Sequence, residues 1–391
     1  MHTQVAIIGG GPAGLLLSQI LHRAGVDNIV IERRSREYVL QRIRAGVLEW
    51  GSVEVLRDAG VGERMDKEGR LHNGTCIVWA GKNHCVLDTK KYTGKPMMAY
   101  GQTAITEDLY AARDAMGGIV IDEASGVALH DVASENPYVT FSKNGEEQRI
   151  DCDYIAGCDG FHGVSRQSIP DNILRTVEKA YPFGWLGILS ETPPLDDIIY
   201  ANHERGFALA SQRTPMLSRY YIQCELDADL DDWPDDRFWE ELKARYPRHI
   251  ADQIVTGPSI EKSITPLRSF IAEPMRHGQL FLAGDAAHIV PPTGAKGLNL
   301  AISDVYYLSR ALVAHYNAGD KSFLEQYSAT ALRRVWGAER LSWYLTRLLH
   351  RFPDQDEFDL RMQENELDYL ASSEHAMRNL CEQYVGLPFD F

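Results

Sequence analysis

The chain has 391 residues, of which 44% are hydrophobic and 24% charged, and its formal net charge at pH 7 is −15. This composition is typical of a globular protein long enough for two or three domains. The negative charge argues against nucleic acid or an anionic membrane as a partner. The six cysteines show no C-x-x-C pair or metal-ligand spacing, which predicts reduced thiols, a cytoplasmic location and no metal site. No apolar run reaches the ~18 residues of a membrane-spanning helix, and no signal-peptide pattern is present.

The first 32 residues carry a dinucleotide-binding pattern. Residues 5–8 form a continuous apolar run, as in a strand that is buried on both faces of a parallel sheet. Gly9, Gly11 and Gly14 follow with the G-x-G-x-x-G spacing, which allows a tight turn, close approach of a pyrophosphate and close packing of the next helix. A second apolar run ends at Glu32, whose carboxylate is placed to bind a ribose. The pattern predicts a dinucleotide but does not distinguish NAD from FAD.

Two further turns combine an acid with glycine after a strand-like run. Asp159 precedes Gly160, and Asp285 follows Gly284 directly after the apolar residues 279–283. In open α/β sheets, ligands bind beyond the carboxyl ends of the strands, so both turns are candidates for the same site. Either turn alone is more often ordinary loop chemistry.

The order of elements predicts an α/β fold with three parts. These are a nucleotide-binding domain over residues 1–175 joined by the segment 279–300, an inserted antiparallel-sheet domain over 176–278, and a helical part over 301–391. Helices are predicted at about 45–59, 103–115, 297–316 and 322–349 from their apolar periodicity.

Together, these motifs resemble the class A flavin-dependent aromatic hydroxylases. Segments 42–49, 211–213 and 291–299 are most similar to members of the class that hydroxylate 4-hydroxybenzoate, and the resemblance extends to residues 384–388. It implies a Rossmann-like FAD-binding domain, an inserted substrate domain and a homodimer. It also implies a step of aromatic catabolism, in which NAD(P)H and O2 convert 4-hydroxybenzoate to 3,4-dihydroxybenzoate through a flavin hydroperoxide and the substrate phenolate.

The resemblance also implies which residues contact FAD. Glu32 would hold the adenosine ribose, Asp285 the ribityl chain, and Lys296 would add positive charge near the flavin ring. The full expected set is Gly9, Gly11, Gly14, Glu32, Arg42, Arg44, Gln102, Asp159, Asp285, Lys296, Leu298 and Asn299.

The resemblance implies that Arg213, Ser211 and Tyr221 bind a substrate carboxylate, and a guanidinium with two hydroxyls suits a buried carboxylate, which needs a charged partner. By spacing alone, Arg213 would instead be a strand arginine in a surface salt bridge.

The substrate phenol is expected at Tyr200 and the carbonyl of Pro292. Tyr384 and then His72, at the solvent end, would continue a chain of hydroxyls that carries a proton outward. Without the resemblance, the side chains of Tyr200, Tyr384 and His72 would be interpreted as ordinary core or surface residues.

Residues that match nucleotide contacts of the family lie in a basic loop after Glu32 and at two positions further along the chain. They are Arg33, Arg34, Tyr38, Arg42, His162 and Arg268, and Arg219 matches a residue linked to flavin movement. Arg33, Arg34 and Arg42 favour the 2′-phosphate of NADPH, whereas Glu37 opposes it. The prediction is a preference for NADPH, with NADH activity left open.

Three alternatives remain at this stage. The first is a hydroxylase of the same class acting on another phenol, such as 3-hydroxybenzoate. The second is a binding protein on the same scaffold without redox activity. The third is an NAD dehydrogenase, which would leave the Gly284-Asp285 turn unexplained.

Overall fold

The computed structural model of the chain describes residues 1–41, 46–72, 74–81 and 83–389. Arg42 and Arg44, two of the predicted cofactor contacts, lie outside the described residues. Strands and helices are mixed throughout, and the predicted α/β fold class is confirmed. Within the described ranges, no helix is both long enough and apolar enough to cross a bilayer.

The first sheet has a parallel centre. Its strands, in spatial order, are Arg276–His277, Leu280–Leu282, Glu146–Gly157, His2–Ile8, Asn28–Ile31 and Ile119–Ile121, with Tyr138–Lys143 and Ser125–His130 added antiparallel beside Glu146–Gly157. Ile8 lies opposite both Ile31 and Gly157, and Gly157 lies opposite Leu282. The loops that follow these four strand ends therefore leave from one edge of the sheet, where ligands bind in such folds.

Three helices pack around this sheet and one another: Pro12–Arg23, Gln102–Ala115 and Gly297–Ala318. The first of them buries Leu15, Leu17 and Leu21 completely. Burying a leucine side chain contributes about 2 kcal/mol, so this apolar face holds the helix in place beside the first strand. The helix start, and the glycine loop before it, are thereby fixed.

The second sheet is almost entirely antiparallel. In spatial order, its strands are His288–Ile289, Ser259–Glu273, Arg175–Ser190, Leu217–Cys224, Ala208–Thr214, Ile199–Asn202, Gly74–Trp79 and Asn83–Asp88, and only Ile199–Asn202 and Gly74–Trp79 pair in parallel. The last two strands of this list come from the range predicted for the first domain. The division into three parts stays a prediction.

The second sheet has a core on each face. One face packs against the C-terminal helices Ser322–Leu349, Glu357–Ser372 and Glu374–Tyr384, and the other packs against helix Asp235–Ala244. The predicted helix at 322–349 is present with the same limits.

A three-stranded sheet of Val47–Leu48, Met97–Ala99 and Arg70–His72 lies beside these elements. The predicted helix at 45–59 begins only at Trp50, because residues 47 and 48 pair with the strand Met97–Ala99. The remaining helices are Arg36–Leu40, Trp50–Asp58, Glu63–Glu68, Thr89–Thr93 and Arg248–Ala251, with 3-10 turns at Arg166–Ser168, Leu230–Asp232, Gly284–Ala286 and Pro292–Gly294.

Candidate active site

The three glycines of the N-terminal motif have different surroundings. Gly9 has φ +110°, and a Cβ there would lie 2.4 Å from the carbonyl oxygen of Cys158. A Cβ on Gly14 would lie 2.0 Å from the carbonyl oxygen of Gly9, whereas a Cβ on Gly11 would meet no atom within 4 Å. Two glycines therefore allow close packing, and Gly11 borders open space at the start of helix Pro12–Arg23. Uncapped N–H groups of a helix start beside open space suit a pyrophosphate.

Glu32 lies directly beside this loop. Its Oε2 accepts a hydrogen bond of 2.6 Å from the backbone N–H of Gly10, and its Oε1 accepts one of 2.7 Å from the N–H of Arg34. The two bonds orient the carboxylate at the edge of the open space. The predicted ribose contact stays a prediction, but the position is compatible with it.

The Asp159 turn packs directly against the glycine loop at Gly9. Asp159 Oδ2 accepts hydrogen bonds from the backbone N–H of Ser165 at 2.9 Å and from its hydroxyl at 3.0 Å. Burial raises the pKa of Asp159, and the Ser165 hydrogen bonds counteract part of that effect. The other oxygen, Oδ1, is buried and has no hydrogen-bond partner in the described part of the chain. An unsatisfied buried acceptor is costly and fits a site completed by a hydroxyl-rich ligand.

A buried pair of side chains, Asp304 and His288, fixes the position of the Gly284-Asp285 turn. Asp304 Oδ2 accepts hydrogen bonds from the backbone N–H of Gly284 at 2.8 Å and from His288 Nε2 at 2.7 Å. Burial lowers the pKa of His288, but the carboxylate of Asp304 raises it overall. Sequence reasoning missed Asp304. Its only signal was a carboxylate within the apolar part of a helix.

Glu49 connects distant parts of the chain in a second buried cluster. Its carboxylate binds Lys296 Nζ at 2.6 Å and Arg334 Nη2 at 2.6 Å, and its backbone N–H donates to Asn299 Oδ1 at 2.8 Å. Lys296 Nζ also donates to the backbone carbonyl of Tyr384 at 2.7 Å. We call Glu49, Lys296 and Arg334 the Glu49 cluster.

The Glu49 cluster changes how the expected charge of Lys296 should be understood. Lys296 was expected to add positive charge near the flavin ring, and the structure pairs it with Glu49. With two cations and one carboxylate, the cluster keeps one net positive charge. Burial lowers the pKa of Lys296, and Glu49 opposes that shift. Asn299 is committed to protein contacts, since its amide also donates to the carbonyls of Val47 and Ala295.

The residues predicted to bind the substrate carboxylate lie on neighbouring strands of the second sheet. Arg213 Nη1 donates to the Ser211 hydroxyl at 3.2 Å and to the carbonyl of Gln212 at 2.9 Å. Arg213 forms no salt bridge with any described residue, and burial lowers the pKa of its guanidinium. The expectation from spacing alone, a surface salt bridge, is therefore wrong.

Tyr221 and Arg219 complete this part of the sheet. Gly187 lies opposite Tyr221, and a Cβ there would be 2.5 Å from the tyrosine ring, so glycine makes room for the ring. The guanidinium of Arg219 lies 5.0 Å from the centre of the same ring and donates to Glu261 at 2.8 Å. Arg219 thus has a protein carboxylate as its partner, in contrast to Arg213.

A chain of hydroxyls crosses the interior from Tyr200. The Tyr200 hydroxyl donates to the carbonyl of Thr293 at 3.0 Å and lies 3.4 Å from the hydroxyl of Tyr384. The Tyr384 hydroxyl is 2.9 Å from Thr75 Oγ1. Burial raises the pKa of both tyrosines, so both phenols are neutral at physiological pH.

Two expected members of this chain of hydroxyls have other contacts than the sequence predicted. The carbonyl of Pro292 accepts a hydrogen bond from the N–H of Ala295, whereas Tyr200 uses the next carbonyl, that of Thr293. His72, expected at the solvent end, is only 8% exposed and lies opposite Met97 in the three-stranded sheet. No hydrogen bond joins His72 to a described hydroxyl of the chain, and its buried Nε2 has no partner among the described residues. Burial also lowers its pKa.

The remaining predicted nucleotide contacts form two groups on the surface. His162 and Arg268 both lie against Phe161, with a ring distance of 5.0 Å and a guanidinium-to-ring distance of 4.6 Å. Arg34 lies 4.9 Å from the ring of Tyr38 in the other group, and Arg33 is exposed. Gln102 begins helix Gln102–Ala115, and Leu298 packs against the first core.

Comparison with known proteins identifies the class. The model of the "FAD binding domain" family matches residues 2–342, so the chain belongs to that family. Within it, the chain is one of the flavin-dependent aromatic hydroxylases, the class that the sequence predicted. FAD is confirmed as the cofactor.

Individual relatives agree with this assignment. The chain is 52% identical over 391 residues to the p-hydroxybenzoate hydroxylase of Acinetobacter baylyi, covering 100% of this chain and 96% of the relative. It is 26% identical over 358 residues to the rifampicin monooxygenase of Streptomyces venezuelae, covering 83% and 67%. The crystal structure of the p-nitrophenol 4-monooxygenase PnpA of Pseudomonas putida has the same fold, with a TM-score of 0.82 at 17% identity over 99% of both chains.

The glycine geometry predicts different outcomes for two alanine substitutions. Gly11→Ala places its Cβ in open space, so the apoprotein should keep its melting temperature but bind FAD about tenfold more weakly or worse. Gly14→Ala forces its Cβ against the carbonyl of Gly9, so it should lower both the melting temperature and the affinity. Thermal unfolding of the apoproteins and fluorescence titration with FAD measure these effects. Equal FAD affinity in Gly11→Ala and the unaltered protein would contradict the assignment of the open space.

Proposed function

We propose that this chain hydroxylates 4-hydroxybenzoate at the 3-position to give 3,4-dihydroxybenzoate, using FAD, NAD(P)H and O2. The observation that carries the proposal is Arg213, a partly buried cation without a salt-bridge partner in the described part of the chain, beside the hydroxyl of Ser211. A buried charge without a counterion is unfavourable, and a substrate carboxylate would supply that counterion. The 52% identical hydroxylase adds support.

The sheet register supports Tyr200 as the phenol contact, because Tyr200 lies on the same face of the sheet as Ser211. Tyr200 lies opposite Leu209, and Leu209 lies opposite Tyr221. Ser211 is two residues further along its strand, about 7 Å from Leu209 between Cα atoms, and therefore points to the same side. A ligand with a carboxylate at one end and a phenol at the other matches a cation with hydroxyls at one end and Tyr200 at the other. The para acid is favoured over 3-hydroxybenzoate because the 52% identical relative is a p-hydroxybenzoate hydroxylase.

The side chains have separate tasks in the proposed reaction. Bound FAD supplies the redox chemistry that activates O2. Arg213 and Ser211 orient the substrate through its carboxylate, and Tyr200 donates a hydrogen bond to its phenol oxygen. Stabilising the phenolate raises the electron density of the ring carbon beside it, which makes that carbon the better nucleophile. Both tyrosines stay neutral, so they act as hydrogen-bond donors and do not add negative charge beside the phenolate.

The substrate assignment is tested by consumption of NADPH and O2 with 4-hydroxybenzoate or 3-hydroxybenzoate, followed by chromatography of the products. We expect 4-hydroxybenzoate to accelerate the consumption of NADPH and of O2 and to yield 3,4-dihydroxybenzoate.

Arg213→Gln should raise KM for 4-hydroxybenzoate at least about tenfold, because it removes a charge-assisted contact to the carboxylate. The matched control is Arg248→Gln, which changes an exposed arginine on helix Arg248–Ala251 of the sheet domain and should leave KM unchanged. Absence of 3,4-dihydroxybenzoate would reject the proposal.

We propose NADPH as the preferred reductant, with NADH as a weaker one. Arg33 and Arg34 are exposed beside the dinucleotide loop, whereas Arg36 is already paired with Asp114 at 2.6 Å. Two exposed guanidinium groups in the loop that matches nucleotide contacts of the family favour a ligand with an additional phosphate, as NADPH has relative to NADH. Their exposed position limits each contact to a modest contribution.

The nucleotide preference is measured as the ratio of kcat/KM for NADPH to that for NADH. Arg33→Ala and Arg34→Ala should each lower this ratio about three- to tenfold, since they remove cations that favour the 2′-phosphate. Arg248→Ala is the control and should not change it. A ratio of one in the unaltered protein, unaffected by either substitution, would contradict the preference.

We propose that two copies form a homodimer through helix Glu357–Ser372 and that the protein is cytoplasmic. Phe358, Met362 and Tyr369 are 67%, 47% and 54% exposed and lie four and seven residues apart, so they form one apolar stripe on this helix. Such stripes mark association surfaces, and a twofold dimer would cover both copies of it.

The six cysteines are free thiols, as expected for a reducing compartment.

Light scattering after gel filtration tests the dimer. We expect about twice the chain mass of 44.0 kDa, and Phe358→Glu should shift the protein towards the monomer because it places a charge in the stripe. Leu226→Glu, at an apolar residue that is 50% exposed on another surface, is the matched control. A monomer at every concentration would exclude the dimer, and an unchanged dimer in Phe358→Glu would exclude this stripe.

A further inference from the structure

Thr75 belongs to none of the sequence motifs, yet it ends the hydroxyl chain that begins at Tyr200. Its Oγ1 lies 2.9 Å from the hydroxyl of Tyr384 and the residue is 1% exposed. A threonine in a strand gives no signal in the sequence, because threonine is common in strands for its β-branched shape alone. The hydroxyl nevertheless lies where the proposed reaction needs hydrogen bonding.

The strand geometry explains how Thr75 reaches this position. A Cβ on Gly74 would lie 1.6 Å from the carbonyl oxygen of Leu87, so only glycine allows the close strand pairing just before Thr75. Thr75 and Ile77 point to the same face of strand Gly74–Trp79, and Ile77 lies opposite Tyr200. That face packs against Tyr384 on the last helix. Thr75, Tyr200 and Tyr384 are therefore brought together by three separate elements.

The hydrogen-bond partners fix the direction of the donors. The carbonyl of Thr293 has no hydrogen to give, so the Tyr200 hydroxyl must donate to it. Tyr200 has one hydroxyl hydrogen, so in its contact with Tyr384 it must be the acceptor. Tyr384 has then used its own hydrogen, and its oxygen must accept from Thr75. The donors run from Thr75 through Tyr384 to Tyr200.

We propose that Thr75 is a positioning residue of the proposed hydroxylase: its hydroxyl directs the Tyr384 donor to Tyr200 and thereby helps Tyr200 stabilise the substrate phenolate. This inference rests on the proposed function. When substrate is bound, the hydrogen of Tyr200 turns from Thr293 to the substrate oxygen, while the direction of the other two donors is kept. Hydrogen bonds in such a chain polarise and strengthen one another in a medium of low dielectric constant.

Other groups around Tyr384 do not replace Thr75. Lys296 contacts the backbone carbonyl of Tyr384 and is tied to Glu49, which also binds Arg334. On the helix of Tyr384, burial raises the pKa of Cys381 to about 12, so it is a neutral thiol.

His72, whose pKa is lowered by burial and by Arg70, forms no hydrogen bond with either hydroxyl. Asp197 raises the pKa of His72 as a lesser cause. Within the described residues, the Tyr384 hydroxyl thus has two hydrogen-bond partners, Tyr200 and Thr75. Burial raises the pKa of Tyr384 and both of these hydrogen bonds lower it.

The test compares Thr75→Val, which keeps the branched shape without the hydroxyl, with Thr75→Ser, which keeps the hydroxyl. Ultraviolet difference spectra of each FAD-loaded protein with 4-hydroxybenzoate, recorded across pH 6 to 9, give the pKa of the bound phenol, which falls as phenolate is stabilised. We expect Thr75→Val to raise this pKa by about half a unit to one unit and to move the acidic limb of the rate–pH profile upward equally. Thr75→Ser should retain the unaltered value.

Two further measurements separate a directing role from a packing role. Thr75→Ala, which also lacks the hydroxyl, should raise the phenol pKa in the same direction as Thr75→Val. Binding of benzoate, which has the carboxylate but no phenol, should be equal in all variants.

An unshifted phenol pKa in Thr75→Val, or an equal shift in Thr75→Ser, would overturn the role of Thr75 while the enzyme still makes 3,4-dihydroxybenzoate. Failure of the unaltered enzyme to form that product would instead reject the proposed function.

Discussion

The parallel pairing of strand His2–Ile8 with its neighbours is the constraint on which the site depends. In this register, the ends of four strands lie at one edge of the sheet. The glycine loop, the Glu32 carboxylate, the Asp159 turn and the Asp285 turn follow those ends, although Gly9 and Asp285 are 276 positions apart in the sequence. A slip of one residue would turn each buried side chain to the other face of the sheet and disperse the motifs.

The Glu49 cluster connects that edge to the helical part of the chain. Glu49 binds cations from two distant segments, and one of these, Lys296, also binds the backbone of Tyr384. Removing one partner of a buried ion pair typically costs about 3–5 kcal/mol, because the other charge is left without compensation. The position of Tyr384 in the hydroxyl chain is therefore linked energetically to the loop predicted to contact the flavin ring.

Two arginines of the second sheet look alike in the sequence but have different partners in the structure. Arg219 is paired with Glu261, whereas Arg213 has hydroxyl and carbonyl partners but no salt bridge within the described residues. Only Arg213 therefore has a positive charge that a ligand could compensate. Tyr200 on this sheet and Tyr384, which packs against it, are neutral because burial raises their pKa values, so the proposed site would combine one cation for a carboxylate with uncharged donors for a phenol.

The sequence by itself determined the α/β class, the FAD motif and the hydroxylase class, because glycine spacing and apolar runs encode local geometry that needs no partner. It also gave the limits of helix Ser322–Leu349, whose apolar period is regular. Tertiary structure alone decided that Lys296 is paired, that His72 is buried, that Tyr200 uses Thr293 and that Thr75 ends the hydroxyl chain. These contacts join residues up to 309 positions apart, and their partners depend on strand register and helix packing, which no local pattern records.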